Sequence, residues 1–118
     1  MKNSINLSFV LFLLFLFTAY SQNKIPASEA KNHIGENAIV KGTITEVYHS
    51  RGGTCFLDIE GHYPNNLFSA VIFKSDSGKF KGIDSFEGKA VEVKGKIKEY
   101  KDKPEIILKS LNQIKIIE

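Results

Sequence analysis

The alternation of apolar and polar residues changes sharply along the chain. An unbroken apolar run comes first, and from residue 37 onward short runs rich in Val, Ile, Thr and Phe alternate with polar positions. A period of two is typical of strands that bury one face. The pattern predicts five strands, at 37–48, 54–60, 67–74, 89–100 and 104–109, and the tail 111–118 adds a short edge segment.

Two segments depart from this period and predict helices. In the segment 25–35, Ser28 is a candidate N-cap and Gly35 is a stop signal. Between the third and fourth strands, apolar residues recur at every third position from Phe80 to Phe86, a loose helical spacing. We therefore expect a short N-terminal helix and a second helix between strands three and four.

The first and fourth strands share a pattern, "GENAIVKGTITE" and "GKAVEVKGKIKE", at a constant offset of 53 residues. Each has a mid-strand glycine, Gly42 or Gly95, which weakens a strand unless the strand bulges or bends there. A bent strand pairs with both halves of a curled sheet, as small barrels require. Three strands, a helix and two strands form the order of the five-stranded Greek-key oligonucleotide/oligosaccharide-binding (OB) barrel.

The same segments resemble small exported bacterial OB-fold domains of the nucleic-acid-binding type. The resemblance lies in "EAKNHIGENAIVKGTITEV", "TCFLDIEGHYPNNLFSAVIF", "FEGKAVEVKGKIKEYKDKPEIIL" and "LNQI", and it covers residues 26–117. It implies an all-β domain with minor helix. Since a fold hosts many functions, the nucleic-acid binding that it implies is an expectation to be tested at the site.

Residues 1–21 predict a secretory signal peptide. A basic start precedes the apolar run, and Ala19 and Ser21 supply small residues before a cut at Gln22. The alternative is an uncleaved anchor, but the run is shorter than the roughly 20 residues that span a bilayer. We expect an exported protein, periplasmic or extracellular, with a single OB domain at 22–118 and no stable membrane anchor after cleavage.

Charge and cysteine content constrain the partners only weakly. The chain carries a formal charge of +3, which allows a polyanionic partner without requiring one. Cys55 is the only cysteine, so no internal disulfide is possible. We expect its thiol to point inward as a small apolar group.

The stretch "DIEGHYPNN" (58–66) concentrates groups capable of acid–base or metal chemistry. On a strand, Asp58, Glu60 and His62 share a face with Phe56. Asp58 and His62 would then be about 13 Å apart, at roughly 3.3 Å per residue, which is too far for one ion. We therefore predict no metal and no cofactor.

Hairpin chemistry explains the same stretch more simply. Pro64 suits the second place of a turn, and Asn65 and Asn66 tolerate the left-handed conformation. Tyr63 then packs beside the turn or faces the ligand surface. We predict that this stretch joins the second and third strands.

The sequence offers no recognisable catalytic arrangement. Paired carboxylates need different environments, which a solvent-facing strand does not supply. Micrococcal-type nucleases share the OB barrel but use carboxylates and two arginines around calcium, whereas Arg51 is the only arginine here. We predict no enzyme activity and no catalytic residue; a metal-dependent hydrolase is the third and weakest interpretation.

OB barrels bind chains across strands two and three, between the first and last inter-strand loops. In this chain those loops, 48–53 and 100–104, combine aromatic and cationic residues. Rings stack on bases, and cations meet phosphates. The predicted ligand-binding residues are Tyr48, Arg51, Phe56, Tyr63, Phe73, Tyr100, Lys101 and Lys103.

Two alternatives stay open beside this interpretation. Lys94, Lys96 and Lys98 alternate along one face, as in a solvated strand or a stripe that tracks phosphates. Asp58 and Glu60 beside the aromatic platform would repel phosphate. The leading prediction is a module that binds single-stranded DNA or RNA, or another anionic chain; the alternative is an envelope protein that binds a small molecule, a sugar or a protein partner.

Overall fold

One sheet organises the computed structural model, which describes residues 23–117. Its eight strands within this range are β1 (Asn23–Pro26), β2 (Asn37–His49), β3 (Cys55–Ile59), β4 (Phe68–Ile72), β5 (Ala90–Lys96), β6 (Lys98–Tyr100), β7 (Lys103–Ile107) and β8 (Ile114–Ile116). Four 3₁₀ helices span Ala27–Asn32, Lys74–Lys79, Ile83–Phe86 and Leu111–Gln113. The predicted signal peptide lies outside the described residues. Within 23–117, no helix is both long and apolar enough to cross a membrane.

The strands follow the order β6-β7-β4-β3-β2-β5-β8, with β1 beside β2. β2 changes partner along its length, because residues 37–43 pair with β5 and residues 44–49 pair with β3. The segment 90–100 does the same: β5 pairs with β2 and β8, and β6 pairs with β7. The two bent strands therefore connect both halves of a curled sheet, as predicted. The ladder is not closed, and it has more strands than the five-stranded barrel expected from the sequence.

The mid-strand glycines allow this curled sheet to pack on itself. A Cβ at Gly42 would lie 2.5 Å from Cγ2 of Ile59, and one at Gly95 would lie 2.7 Å from Cγ2 of Ile106. Real Cβ contacts are not that short, so any side chain at either position would push strands apart.

The inward faces of the strands form one apolar core. Cys55 points into it, as predicted, and Leu57 and Ile59 follow it into the core along β3. Burial, with the negative charge of Asp84 as a lesser cause, raises the pKa of the Cys55 thiol to about 11. The thiol therefore stays protonated at neutral pH and behaves as a small apolar group.

The helical predictions need correction. The first helix is a 3₁₀ helix at Ala27–Asn32, and its N-cap is Pro26 rather than Ser28. The second is replaced by two short 3₁₀ helices, with Gly82 in the left-handed conformation at the start of the second one. An apolar residue at every third position matches the three-residue turn of a 3₁₀ helix, which the α-helical interpretation overlooked.

The strand boundaries moved by one or two residues, and the predicted fourth strand is interrupted at Ile97. The parallel strand β1 was not predicted. Lys94, Lys96 and Lys98 are exposed, while Val93 and Ile97 are buried, so the predicted facing of this segment is confirmed.

Candidate functional site

A concave pocket of about 700 Å³ lies on the outer face of the sheet, across β2, β3, β4 and β7. The connection between β3 and β4 and the β6–β7 hairpin border it. It is lined by Glu46, Tyr48, Phe56, Asp58, Tyr63, Pro64, Ser69, Tyr100, Lys101, Lys103 and Glu105.

A polar row crosses the floor of this pocket. Glu46 on β2 opposes Asp58 on β3, and Asp58 opposes Ser69 on β4. Ser69 in turn opposes Glu105 on β7. Directly opposed residues on antiparallel strands have Cβ atoms about 4.5–5.5 Å apart, so Asp58 is a close neighbour of both Glu46 and Ser69. Glu105 adds a third carboxylate on the far side of Ser69.

Aromatic rings surround the polar row. Tyr48 opposes Phe56 across β2 and β3, and the two ring centroids lie 6.2 Å apart. Tyr63 is 78% exposed and Tyr100 is 56% exposed. Because the folded chain leaves large ring surfaces in water here, they are available for stacking against a ligand.

The β6–β7 hairpin positions the basic side chains of the site. Lys101 and Asp102 both have left-handed backbone angles, the conformation of a tight two-residue hairpin turn. Nζ of Lys101 lies 5.4 Å from the ring centroid of Tyr100, and Nζ of Lys103 lies 5.8 Å from that of Tyr63. These are cation–π distances.

Lys103 also fastens the connection between β3 and β4. Its Nζ donates to the carbonyl oxygen of Pro64 at 2.6 Å and to Oδ1 of Asn66 at 2.7 Å. Asn66 is buried, and its Nδ2 donates to Oγ of Ser69 and to the carbonyl oxygen of Phe68. Lys103 therefore acts largely as a structural cation, with less freedom to meet a phosphate than the sequence suggested.

The predicted hairpin connection is confirmed, with a different turn. The Tyr63–Pro64 peptide is cis, and the amide of Asn65 donates to the carbonyl of His62, so Pro64 occupies the third place rather than the second. The left-handed conformation falls on Glu60, not on the asparagines.

The predicted face shared by Asp58, Glu60 and His62 is wrong, because β3 ends at Ile59. Glu60 turns away, and its Oε2 accepts a hydrogen bond from the amide of Thr43 at 2.8 Å. His62 is exposed in the loop and does not line the pocket. Within residues 23–117, no group of three or more His, Cys, Asp or Glu residues is placed to hold a metal ion.

Two carboxyl groups of the row are electrostatically perturbed. Burial first, and then the charge of Glu46, raises the pKa of Asp58, while Lys103 and His62 act in the opposite direction. Burial also raises the pKa of Glu105 against the lowering effect of Lys98. The floor of the pocket thus holds two carboxyl groups whose ionised forms are disfavoured by burial.

Comparison with known proteins places this architecture in a family. The model of a tRNA anticodon family, described as an OB-fold nucleic acid binding domain, matches residues 38–114. The chain belongs to this family. The matched range includes the strands that line the pocket, and the resemblance noted in the sequence is confirmed at the level of the OB fold.

Two solved structures support the fold. An asparaginyl-tRNA synthetase from Entamoeba histolytica superposes with a TM-score of 0.53 at 17% identity, over 82% of this chain and 24% of that one. A protein assigned as an aspartyl-tRNA synthetase from Leishmania major Friedlin gives 0.52 at 12% identity, over 82% of this chain and 21% of that one. This chain therefore spans less than a quarter of either enzyme. No curated protein matches it.

The OB-fold domain brings most of the predicted ligand residues together. Six of them line the pocket, and Arg51 and Phe73 do not. Arg51 is exposed in the turn after β2, and Phe73 is exposed beyond the end of β4. Phe68, at the other end of the same apolar run, is buried in the core, whereas Phe73 is exposed.

Sequence reasoning missed Glu46, Pro64, Ser69 and Glu105 as lining residues. Glu46 was within reach, because it shares a strand face with Tyr48. Glu105 was not, since its place beside Ser69 depends on the parallel pairing of β4 with β7.

Proposed function

We propose that this OB-fold domain binds single-stranded nucleic acid, or a similar anionic chain, across the aromatic pocket and performs no catalysis there. The observation that carries the proposal is the combination of family membership with a concave face that keeps Tyr48, Tyr63 and Tyr100 exposed. Base stacking on such rings tolerates any sequence and contributes about 1–3 kcal/mol per base.

The pocket suggests how a strand would lie. Bases enter between the Tyr48–Phe56 pair and the rings of Tyr63 and Tyr100. The sugar–phosphate backbone stays at the rim near Lys101, because the acidic floor repels phosphate. The carboxylates then meet base edges, where hydrogen-bond donors are available.

The acidic floor also favours a second candidate. A neutral or cationic small molecule, a sugar or a protein partner would avoid the repulsion that phosphate meets at Asp58 and Glu105. Direct titration separates the nucleic-acid ligand from the other classes.

We also propose that the protein is exported and acts in the periplasm or outside the cell, as the apolar run in residues 1–21 indicates.

The test is fluorescence anisotropy of labelled single-stranded DNA and RNA oligonucleotides titrated with the protein, at low and at moderate salt. We expect weak binding that is stronger at low salt. The variant Phe56→Ala should weaken it by about 1–3 kcal/mol through lost stacking. Arg51→Ala is the matched control, because Arg51 lies outside the pocket.

Two results would contradict the proposal. Absence of binding at low salt would remove nucleic acid as the ligand and favour the small-molecule, sugar or protein alternative. Binding that survives Phe56→Ala and Tyr48→Ala but is lost in Arg51→Ala would show that another face of the domain carries the ligand.

A further inference from the structure

Asp58 is buried to an unusual degree for a carboxylate without a partner. Its side chain belongs to a residue that is 5% exposed. Among residues 23–117, no side chain or amide donates a hydrogen bond to its carboxylate. Buried polar groups are normally hydrogen-bonded, and a buried charge without such bonds is costly.

The other polar groups nearby are satisfied by the protein. Asn66 and Ser69 are buried as well, and they hydrogen-bond to each other. Glu60 lies two residues further along the chain, and its carboxylate accepts a hydrogen bond from the amide of Thr43. Asp58 is therefore the exception among the three buried polar side chains of the described residues.

The carboxylate of Asp58 opens into the pocket. It lines the pocket floor, and no oxygen of a buried side chain is both enclosed and unpartnered in the described part of the chain. Its oxygens thus reach the pocket, where a ligand can supply the missing donors. Glu46 and Ser69 flank it on the neighbouring strands.

We propose that Asp58 is a base-reading group that accepts a hydrogen bond from the amino group of a stacked base, so that the domain prefers adenine and cytosine to uracil. The inference rests on the proposed function, and it adds the class of base. An ionised carboxylate only accepts, so it matches an exocyclic amino group, which adenine and cytosine (and guanine) carry and uracil lacks. Uracil presents a carbonyl oxygen at the corresponding position, which a carboxylate repels.

Ser69 is placed to hydrogen-bond to the same edge of the base as Asp58. Its Oγ accepts from Nδ2 of Asn66, so its own hydroxyl proton remains to be donated. An amino donor next to a ring-nitrogen acceptor, as in adenine and cytosine, pairs with the acceptor Asp58 and the donor Ser69 on adjacent strands.

The test compares anisotropy titrations of three labelled RNA oligomers of equal length, oligo(A), oligo(C) and oligo(U), at pH 7 and low salt. We expect oligo(A) and oligo(C) to bind roughly tenfold more tightly than oligo(U), as one hydrogen bond to a charged group allows. In Asp58→Asn, whose amide both donates and accepts, this preference should fall to about twofold or less.

Glu99→Gln is the matched control, because it removes one negative charge from an exposed residue of β6 outside the pocket. It should leave the preference unchanged. If all three oligomers bind equally, or if the preference persists in Asp58→Asn, the base-reading role is wrong and the proposed function stands. If no oligomer binds, both are wrong.

Discussion

At the residue scale, Asp58 places a negative charge where folding alone does not favour one. It opposes Glu46, and the lowering effects of Lys103 and His62 on its pKa compensate only in part, because that pKa remains raised. Lys103 is itself engaged by Pro64 and Asn66. Groups that lower stability in this way are commonly retained for binding or catalysis.

Replacing the carboxylate should therefore stabilise the fold. A raised pKa means that the folded state binds more protons than the unfolded chain, so stability falls as pH rises through that window. We expect Asp58→Asn to melt at a higher temperature than the wild type at pH 7, and the gap to shrink as pH falls through the raised pKa of Asp58, until little of it remains below about 4. Thermal melts followed by circular dichroism from pH 3 to pH 7 measure this.

Glu99→Gln again serves as the control and should melt like the wild type at every pH, since surface changes of this kind are worth less than about 0.5 kcal/mol. A lower melting temperature for Asp58→Asn at pH 7 would contradict the assignment of Asp58 as a residue that folding disfavours.

At the scale of elements, β2 and β5 are related by a local two-fold arrangement. Val40 pairs with Val93, and these two residues also correspond at the offset of 53. Gly42 and Gly95 each lie two residues beyond this pair. At these points β2 packs closely against Ile59 of β3, and β5 packs closely against Ile106 of β7. The similarity between the two strand sequences therefore reflects the same glycine-containing bend in β2 and in β5, placed symmetrically about the Val40–Val93 pair.

The bend gives a prediction on stability. Gly42→Ala should destabilise the domain by about 1–3 kcal/mol, because the new methyl group overlaps Ile59 in a packed core. Chemical denaturation with urea, followed by circular dichroism, measures the difference. Gly78→Ala is the control, since a Cβ there meets nothing within 4 Å. Equal stability of the two variants would contradict the proposed role of Gly42.

The elements also show what the sequence could and could not reveal. The period of two located β2, β3 and β5, because one-sided burial fixes which residues alternate, whereas β4 is buried on both faces and was located by its continuous apolar run. The glycine positions revealed the bend, because glycine has a cost there. The turn at Pro64 and the parallel pairing that brings Glu105 to Ser69 depend on contacts distant in the chain, so no local pattern encodes them.

The candidate site was partly predictable for the same reason. Tyr48 and Phe56 followed from strand alternation and from the usual ligand face of the OB fold. Arg51 and Phe73 were assigned by proximity in sequence to that face, but they lie where a loop and a strand end turn away from the pocket. The burial of Asp58 became visible only with the strand register.

At the scale of the whole molecule, the net positive charge of the chain contrasts with the acidic floor of the pocket. The chain is mildly basic, at +3, yet its candidate ligand face has an acidic floor and only two lining lysines. The exposed Lys94, Lys96 and Lys98 lie outside the pocket. Binding should therefore depend more on stacking than on phosphate neutralisation.

The salt dependence tests this balance. One phosphate contact at Lys101, or two if Lys103 also takes part, predicts that the logarithm of the binding constant falls with the logarithm of salt concentration at a slope between about −0.7 and −1.4. We expect Lys101→Ala to make the slope shallower by about 0.7, and the control Lys96→Ala to leave it unchanged. A slope steeper than about −4 would indicate a wider basic surface and contradict the stacking account.

The most direct measurement of the central claim is the mapping of amide chemical shifts in ¹⁵N-labelled protein as a single-stranded oligonucleotide is added. We expect the largest changes on β3, on β4 and on the segment 98–105, around Asp58 and Tyr100. Changes centred on Lys94 and Lys96, or no changes at low salt, would contradict it.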